Sequence, residues 1–223
     1  MNRLHRWYCR SDFWKQHLAE NLLPWAMGGI DLGEELLEVG PGPGLTTDIL
    51  RHQFQRVTSL EIDPRLATAL RHRMQATNVR VLEGDASSLP FRDGSFSGAV
   101  AFTMLHHVSS AAMQDRLLAE VCRVLRPGGT FVGSDSLWSR MFEIFHWFDT
   151  MVVVDPNTLG DRLKAAGFNE VSIEVGERAF RFAARRPRNE QSEVYQSESG
   201  ARGGRLTLSP YDHGIMTMIR SSE

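Results

Sequence analysis

The run Leu36-Leu37-Glu38-Val39-Gly40-Pro41-Gly42-Pro43-Gly44 joins a short apolar stretch to three alternating glycines, with a carboxylate just before the first. Glycine permits turn conformations that a side chain obstructs and lets backbone come close to a ligand. Between a buried strand and a helix, such a turn lies at the strand's carboxyl end, where open α/β sheets form their ligand crevice. A dinucleotide loop reads G-x-G-x-x-G and sets a pyrophosphate at the helix N-terminus. Here the spacing is G-x-G-x-G, and Leu45 stands where that pattern wants glycine. Pro41 and Pro43 lack the N–H groups that could hold a phosphate. Glu38 adds negative charge. The loop suits a cation better than a pyrophosphate.

Further polar groups follow in order. Glu61, in Leu60-Glu61-Ile62-Asp63, ends a strand where a carboxylate can accept both hydroxyls of a ribose. Asp63 precedes Pro64 and reads as a helix cap. Gly84-Asp85-Ala86 is by itself only a turn signal; its place after Glu61 and before the next strand adds weight. His106 and His107 end a strand-to-loop run, and an unperturbed imidazole titrates near neutrality, so His106 is the candidate general base. The competing role for both is to organise the loop. Glu120, Asp135 and Asp155 are further acids that could face a pocket, and spacing does not rank them.

The elements that must position these groups alternate. Strands are expected at Glu34–Val39, Arg56–Ile62, Val79–Glu83, Gly98–Phe102, Thr130–Ser134, Val171–Val175 and Arg178–Ala184. Helices are expected from Leu45 to Gln53, from Pro64 to Ala76, over Ala111–Leu125 and over Asn157–Ala166. Arg126-Pro127-Gly128-Gly129 reads as a helix stop. The pattern predicts an α/β fold: a seven-stranded, mostly parallel sheet, helices on both faces, and a C-terminal antiparallel hairpin. Residues 1–30 form a helical cap by this reading, with apolar residues at helical spacing from Trp7 to Trp25. Residues 31–184 form the ligand-binding domain, and 185–223 a polar, flexible tail.

The 223 residues suffice for one sizeable core. A formal net charge of -2 supplies no general attraction to nucleic acid. Cys9 and Cys122 stand far apart with no zinc spacing, so no metal is expected. No apolar run approaches the roughly 18 residues of a membrane span, and the start does not read as a signal peptide, which makes cytoplasm the expected location.

Glu-Val-Gly-Pro-Gly-Pro-Gly resembles motif I of the class I S-adenosylmethionine (SAM) dependent methyltransferases, and the later motifs follow in that family's order. The resemblance covers roughly 36–184, with its specific motifs between 36 and 134, and looks closest to the small-molecule, ubiquinone-biosynthesis-like type 11 branch. It implies a Rossmann-like fold with SAM as cofactor. Gly40, Gly42 and Gly44 would line the methionine end of SAM, with Glu38 supporting the amino group and Phe102 offering backbone nearby. Glu61 would hold the ribose and Ile62 would pack on adenine. Asp85 would accept from the adenine amino group, and the Ala86 N–H would meet a ring nitrogen. The chain departs from the family at Phe96-Ser97, where Phe-Asp is common. No Asn/Asp-Pro-Pro-Tyr sequence occurs, which weakens a nucleic-acid or protein amide reading.

The implied activity is methyl transfer to a small, apolar or aromatic acceptor. The N-terminal helix and the aromatic segment Leu137–Val154 are candidate pocket walls, sheet covers or a homodimer contact. Two rival readings remain: a SAM-binding regulatory protein without catalysis, and an NAD enzyme.

Overall fold

The computed structural model describes residues 11–140 and 151–188. Seven strands form one sheet in the order β3-β2-β1-β4-β5-β7-β6. They are β1 (Glu35–Val39), β2 (Arg56–Glu61), β3 (Val79–Glu83), β4 (Phe96–Phe102), β5 (Leu125–Ser136), β6 (Asn169–Val175) and β7 (Ala179–Arg185). Strands β1 to β5 pair in parallel, and β7 inserts antiparallel between β5 and β6. The expected α/β sheet with a closing antiparallel hairpin is what the chain forms. Strand order reverses between β2-β1 and β1-β4, which is the switch point where open sheets hold ligands.

Each central strand alternates its side chains between two apolar layers. Leu37, Ala99, Ala101 and Phe131 pack on one face with Leu117, Leu118 and Val121 of α5 (Ala111–Val124) and Leu159 and Leu163 of α6 (Pro156–Ala165). Leu36, Val100, Phe102 and Val132 pack on the other with Leu18, Leu22, Leu23 and Ala26. The segment before β1 is therefore part of the core. It runs as α1 (Asp12–His17), a π-helical turn (Leu18–Leu22) and α2 (Leu23–Met27). Ser11 caps α1 by accepting from the Trp14 N–H. The π turn lies just ahead of Pro24, whose ring crowds the carbonyl four residues back and whose missing N–H breaks the α ladder.

Two element boundaries differ from expectation for one reason. The helix stops where expected, α5 ending at Val124, but β5 starts at Leu125 and not at Thr130. Phe96 pairs with Leu125 across a register irregularity, so β4 also begins two residues early. The Gly128 N–H donates to the Arg186 carbonyl, and the Arg186 N–H donates to Gly129. Long-range pairing carries Pro127, Gly128 and Gly129 into the strand after the helix has ended, and the described backbone continues past residue 184.

Ser97, the departure from Phe-Asp, ties the entry of β1. Its hydroxyl accepts from the Glu35 N–H at 2.9 Å and donates to the Leu32 carbonyl at 2.8 Å. Among the described residues no helix is long and apolar enough to cross a membrane. Cys9 and Trp7 lie outside the described residues, as do Phe142, Phe145, Trp147 and Phe148 of the aromatic segment and the tail from 189 onward.

Candidate cofactor site

Gly40, Gly42 and Gly44 connect β1 to α3 (Leu45–Leu50), all with positive φ: 66°, 56° and 83°. At Gly44 a Cβ would come within 2.3 Å of Leu70 Cδ1, so only glycine fits against α4 (Pro64–Arg73). At Gly42 a Cβ would meet nothing within 4 Å, so the loop's crest faces open space. One side of the turn is packed and the other is accessible.

Glu38 is buried beneath this loop. Its carboxylate accepts from the hydroxyls of Thr46, of Thr47 at 2.6 Å and of Ser59 at 2.7 Å. It therefore ties β1, α3 and β2 together. Burial pushes the Glu38 carboxyl above its ordinary 4.5, and the three hydroxyls pull partly back. An acid whose folded value is raised contributes most stability below its unfolded value and loses it as pH rises through the folded one. Glu38→Gln is accordingly expected to gain stability relative to the parent as pH climbs from about 4 towards neutrality. Urea unfolding across that range checks this; a pH-independent difference would contradict it.

Glu61 ends β2 with only 6% of its surface exposed. One carboxylate oxygen accepts from the Gly42 N–H at 2.8 Å, the other from the Asp63 N–H at 3.0 Å. The group thus joins the glycine loop to the turn after β2. Ile62 beside it is 66% exposed, a large apolar side chain left uncovered at the sheet's carboxyl edge. Asp63 caps α4, accepting from Arg65 and Leu66 N–H groups. Asp85 is exposed after β3 and accepts from the Ser87 N–H at 2.8 Å, while Ala86 is buried beside it in the sequence. Phe102 closes β4 facing the N-terminal helices.

After β4 the backbone is strained. Thr103 has φ 50°, rare for a β-branched residue, and its N–H donates to the Ser134 carbonyl. Met104 then packs over Gly40, where a Cβ would approach its Cε to 3.0 Å. His106 follows in a 3-10 turn (Leu105–His107), 2% exposed. Its Nδ1 lies 2.5 Å from Asp135 Oδ1, and its N–H donates to Oδ2 at 3.0 Å. Asp135, fully buried at the end of β5, also accepts from the Ser136 N–H. Gln114 donates to both the Leu105 and Val152 carbonyls, which fixes the turn against the chain entering α6.

The other acids have local tasks. Asp155 caps α6, and Glu120 holds the Leu89 N–H and Arg123. The pairing of Asp135 with His106, 29 residues apart, is a contact that spacing did not rank. Nor did it single out Thr46, Thr47 and Ser59, although two hydroxyls directly after a glycine turn were a legible signal.

Two carboxylates, Glu61 and Asp85, lie along one edge with an open glycine crest and an uncovered isoleucine, while Glu38 is enclosed beneath the loop; such an edge could hold a cationic nucleoside. Among the described residues, the Ser134 hydroxyl of β5 and the Arg51 Nε are buried without a hydrogen-bond partner. No three His, Cys, Asp or Glu side chains among the described residues converge as metal ligands would.

Strand order defines a Rossmann-like α/β domain, with the glycine loop, Glu61 and Asp85 at the carboxyl ends of its strands. Residues 37–133 match the family described as "Methyltransferase domain". The chain is 34% identical over 119 residues to the demethylmenaquinone methyltransferase of Tropheryma whipplei, covering 52% of this chain and 47% of the relative. It is 31% identical over 156 residues to an O-methyltransferase of Penicillium expansum, covering 63% and 54%. Phosphoethanolamine N-methyltransferase 2 of Haemonchus contortus, solved with phosphomonomethylethanolamine and S-adenosylhomocysteine, superimposes with a TM-score of 0.66 at 16% identity, over 83% of this chain and 56% of that one. That likeness concerns the fold. The chain spans about half the length of the curated relatives it matches. Over residues 37–133 the chain thus carries the sequence pattern of a methyltransferase domain, on a fold shared with solved SAM-dependent methyltransferases.

Proposed function

We propose that the protein transfers a methyl group from SAM to a small acceptor, with the cofactor seated across the carboxyl ends of β1, β2 and β3. The observation that carries this reading is Glu61, one carboxylate oxygen of which engages the Gly42 N–H of the glycine loop and the other the Asp63 N–H of its own turn. That places a bidentate acceptor beside the open crest of Gly42. In this reading the glycines Gly40, Gly42 and Gly44 pass under the methionine end, and the Phe102 backbone lies beside it. Glu38 orders that loop through its three hydroxyl partners and supports the amino group through it. Ile62 covers one face of adenine, Asp85 accepts from its amino group, and the Ala86 N–H meets a ring nitrogen.

SAM supplies a methyl carbon already activated by positive sulfur. The protein's own share is to align the acceptor and exclude water, and orientation alone lowers a barrier by roughly 7–11 kcal/mol in favourable systems. His106 is the candidate for removing the acceptor's proton, with Asp135 holding its Nδ1 and so setting the ring's orientation. The acceptor class, small and apolar or aromatic, rests on apolar surface at the same edge; Trp138, just past β5, is 57% exposed.

The test is calorimetric titration with S-adenosylhomocysteine, followed by radiolabelled methyl transfer from SAM to a panel of small phenols, acids and amines. Binding and transfer together support the enzyme reading. Binding without transfer to any acceptor or cell extract favours a SAM-binding protein without catalysis.

A further inference from the structure

Arg73, the last residue of α4, reaches back across 30 positions to the glycine loop. Its guanidinium donates to the Pro43 carbonyl at 2.8 Å and to the Gly44 carbonyl at 3.0 Å, and also contacts Asp48 at 3.2 Å. Gly44 is the N-cap of α3 and supplies no side-chain cap. The charge suits the C-terminal end of α4, but beside the N-terminus of α3 it opposes the helix dipole, so the stability of α3 does not explain the contact. The Asp48 pair does not explain it either, because both side chains are partly exposed and such surface pairs contribute little.

What the contact adds is a side-chain anchor on two successive carbonyls, beside the backbone bonds from the Gly44 N–H to Pro41 and from the Asp48 N–H to Gly44. A trans peptide sets its N–H opposite its C=O. The Gly44 carbonyl, held by both Arg73 and the Asp48 N–H, therefore keeps the Leu45 N–H in a fixed plane. That N–H is one of the first-turn donors a helix leaves without an intrahelical partner. Gly44 permits the close approach, since a Cβ there would strike Leu70 Cδ1 and an Arg73 nitrogen at 2.3 and 2.5 Å. On the opposite flank Glu61 holds the Gly42 N–H. The loop is thus gripped twice, and both grips flank α4: Glu61 just before it, Arg73 at its end.

Resting on the cofactor reading above, we propose that Arg73 is a positioning residue of the glycine loop: through the Pro43 and Gly44 carbonyls it presets the backbone that receives the cofactor's methionine end. It touches no ligand. Its effect is to spare the loop the ordering that binding would otherwise require.

The experiment compares the parent with Arg73→Met, Arg73→Lys and Asp48→Asn, titrating S-adenosylhomocysteine by calorimetry and following amide exchange over residues 40–45 without ligand. Arg73→Met is expected to raise the dissociation constant about tenfold, the equivalent of roughly one net hydrogen bond, and to speed exchange in the loop while the urea midpoint moves little. Arg73→Lys should recover part of the affinity through one carbonyl, and Asp48→Asn should bind as the parent does. Parent-like affinity and exchange in Arg73→Met overturn the proposal, as does an equal loss in Asp48→Asn or a loss that tracks global destabilisation. Should Arg73→Met fail to fold, unchanged loop exchange in Arg73→Lys overturns it. A parent that does not bind S-adenosylhomocysteine instead defeats the cofactor reading itself.

Discussion

Glu61→Ala is expected to weaken binding of SAM and S-adenosylhomocysteine about a hundredfold. Hydrogen bonds to a charged group are worth about 1.5–3 kcal/mol each, so losing two ribose contacts removes about 3 kcal/mol, and each 1.4 kcal/mol is tenfold. The same substitution strips acceptors from the Gly42 and Asp63 N–H groups, so the glycine loop also loses its tie to the turn after β2. Glu61→Gln keeps one carbonyl acceptor and should fall between the two. Asp85→Ala, which removes a single proposed contact to adenine and the partner of the Ser87 N–H, is expected to lose about tenfold. Calorimetry on folded variants decides the matter. Parent-like affinity in both alanine variants would mean the cofactor lies elsewhere.

The second large effect belongs to Asp135→Ala, for which we expect a loss of about 3–5 kcal/mol in folding stability. A buried donor left without its acceptor costs about 1–3 kcal/mol, and several would be left at once. Here the alanine would abandon His106 Nδ1 together with the His106 and Ser136 N–H groups, all converging on one carboxylate with no exposed surface. Urea or thermal unfolding measures this directly, and a loss under about 1 kcal/mol, the size of a typical surface change, would show the contact to be dispensable. His106→Gln separates architecture from chemistry. Its backbone N–H still reaches Asp135, so the fold should survive. If His106 accepts the acceptor's proton, methyl transfer should fall by about 10²–10⁴ while S-adenosylhomocysteine affinity is retained. Undiminished turnover in a folded His106→Gln protein would leave the pair a structural role alone.

The sequence by itself determined the alternation of elements, the seven strands and the line of polar groups at their carboxyl ends. These are local or periodic signals: the glycine spacing after an apolar strand, the carboxylate two residues before Asp63-Pro64, the Gly-Asp turn after β3. Asp63 as a cap was equally local, since a cap bonds N–H groups two and three residues away.

Only the tertiary structure decided where these groups find partners. The run at 126–129 ends the helix as read, yet it lies in β5 because that strand pairs there with Phe96 and Arg186. Glu38, placed by resemblance near an amino group, is enclosed by three hydroxyls from α3 and β2. His106 and Asp135 meet because parallel β4 and β5 end side by side, and Arg73 reaches Pro43 and Gly44 because α4 lies alongside their loop. Such contacts depend on strand order and helix placement, which the chain settles only by burying both faces of the sheet at once. No spacing along the sequence encodes them.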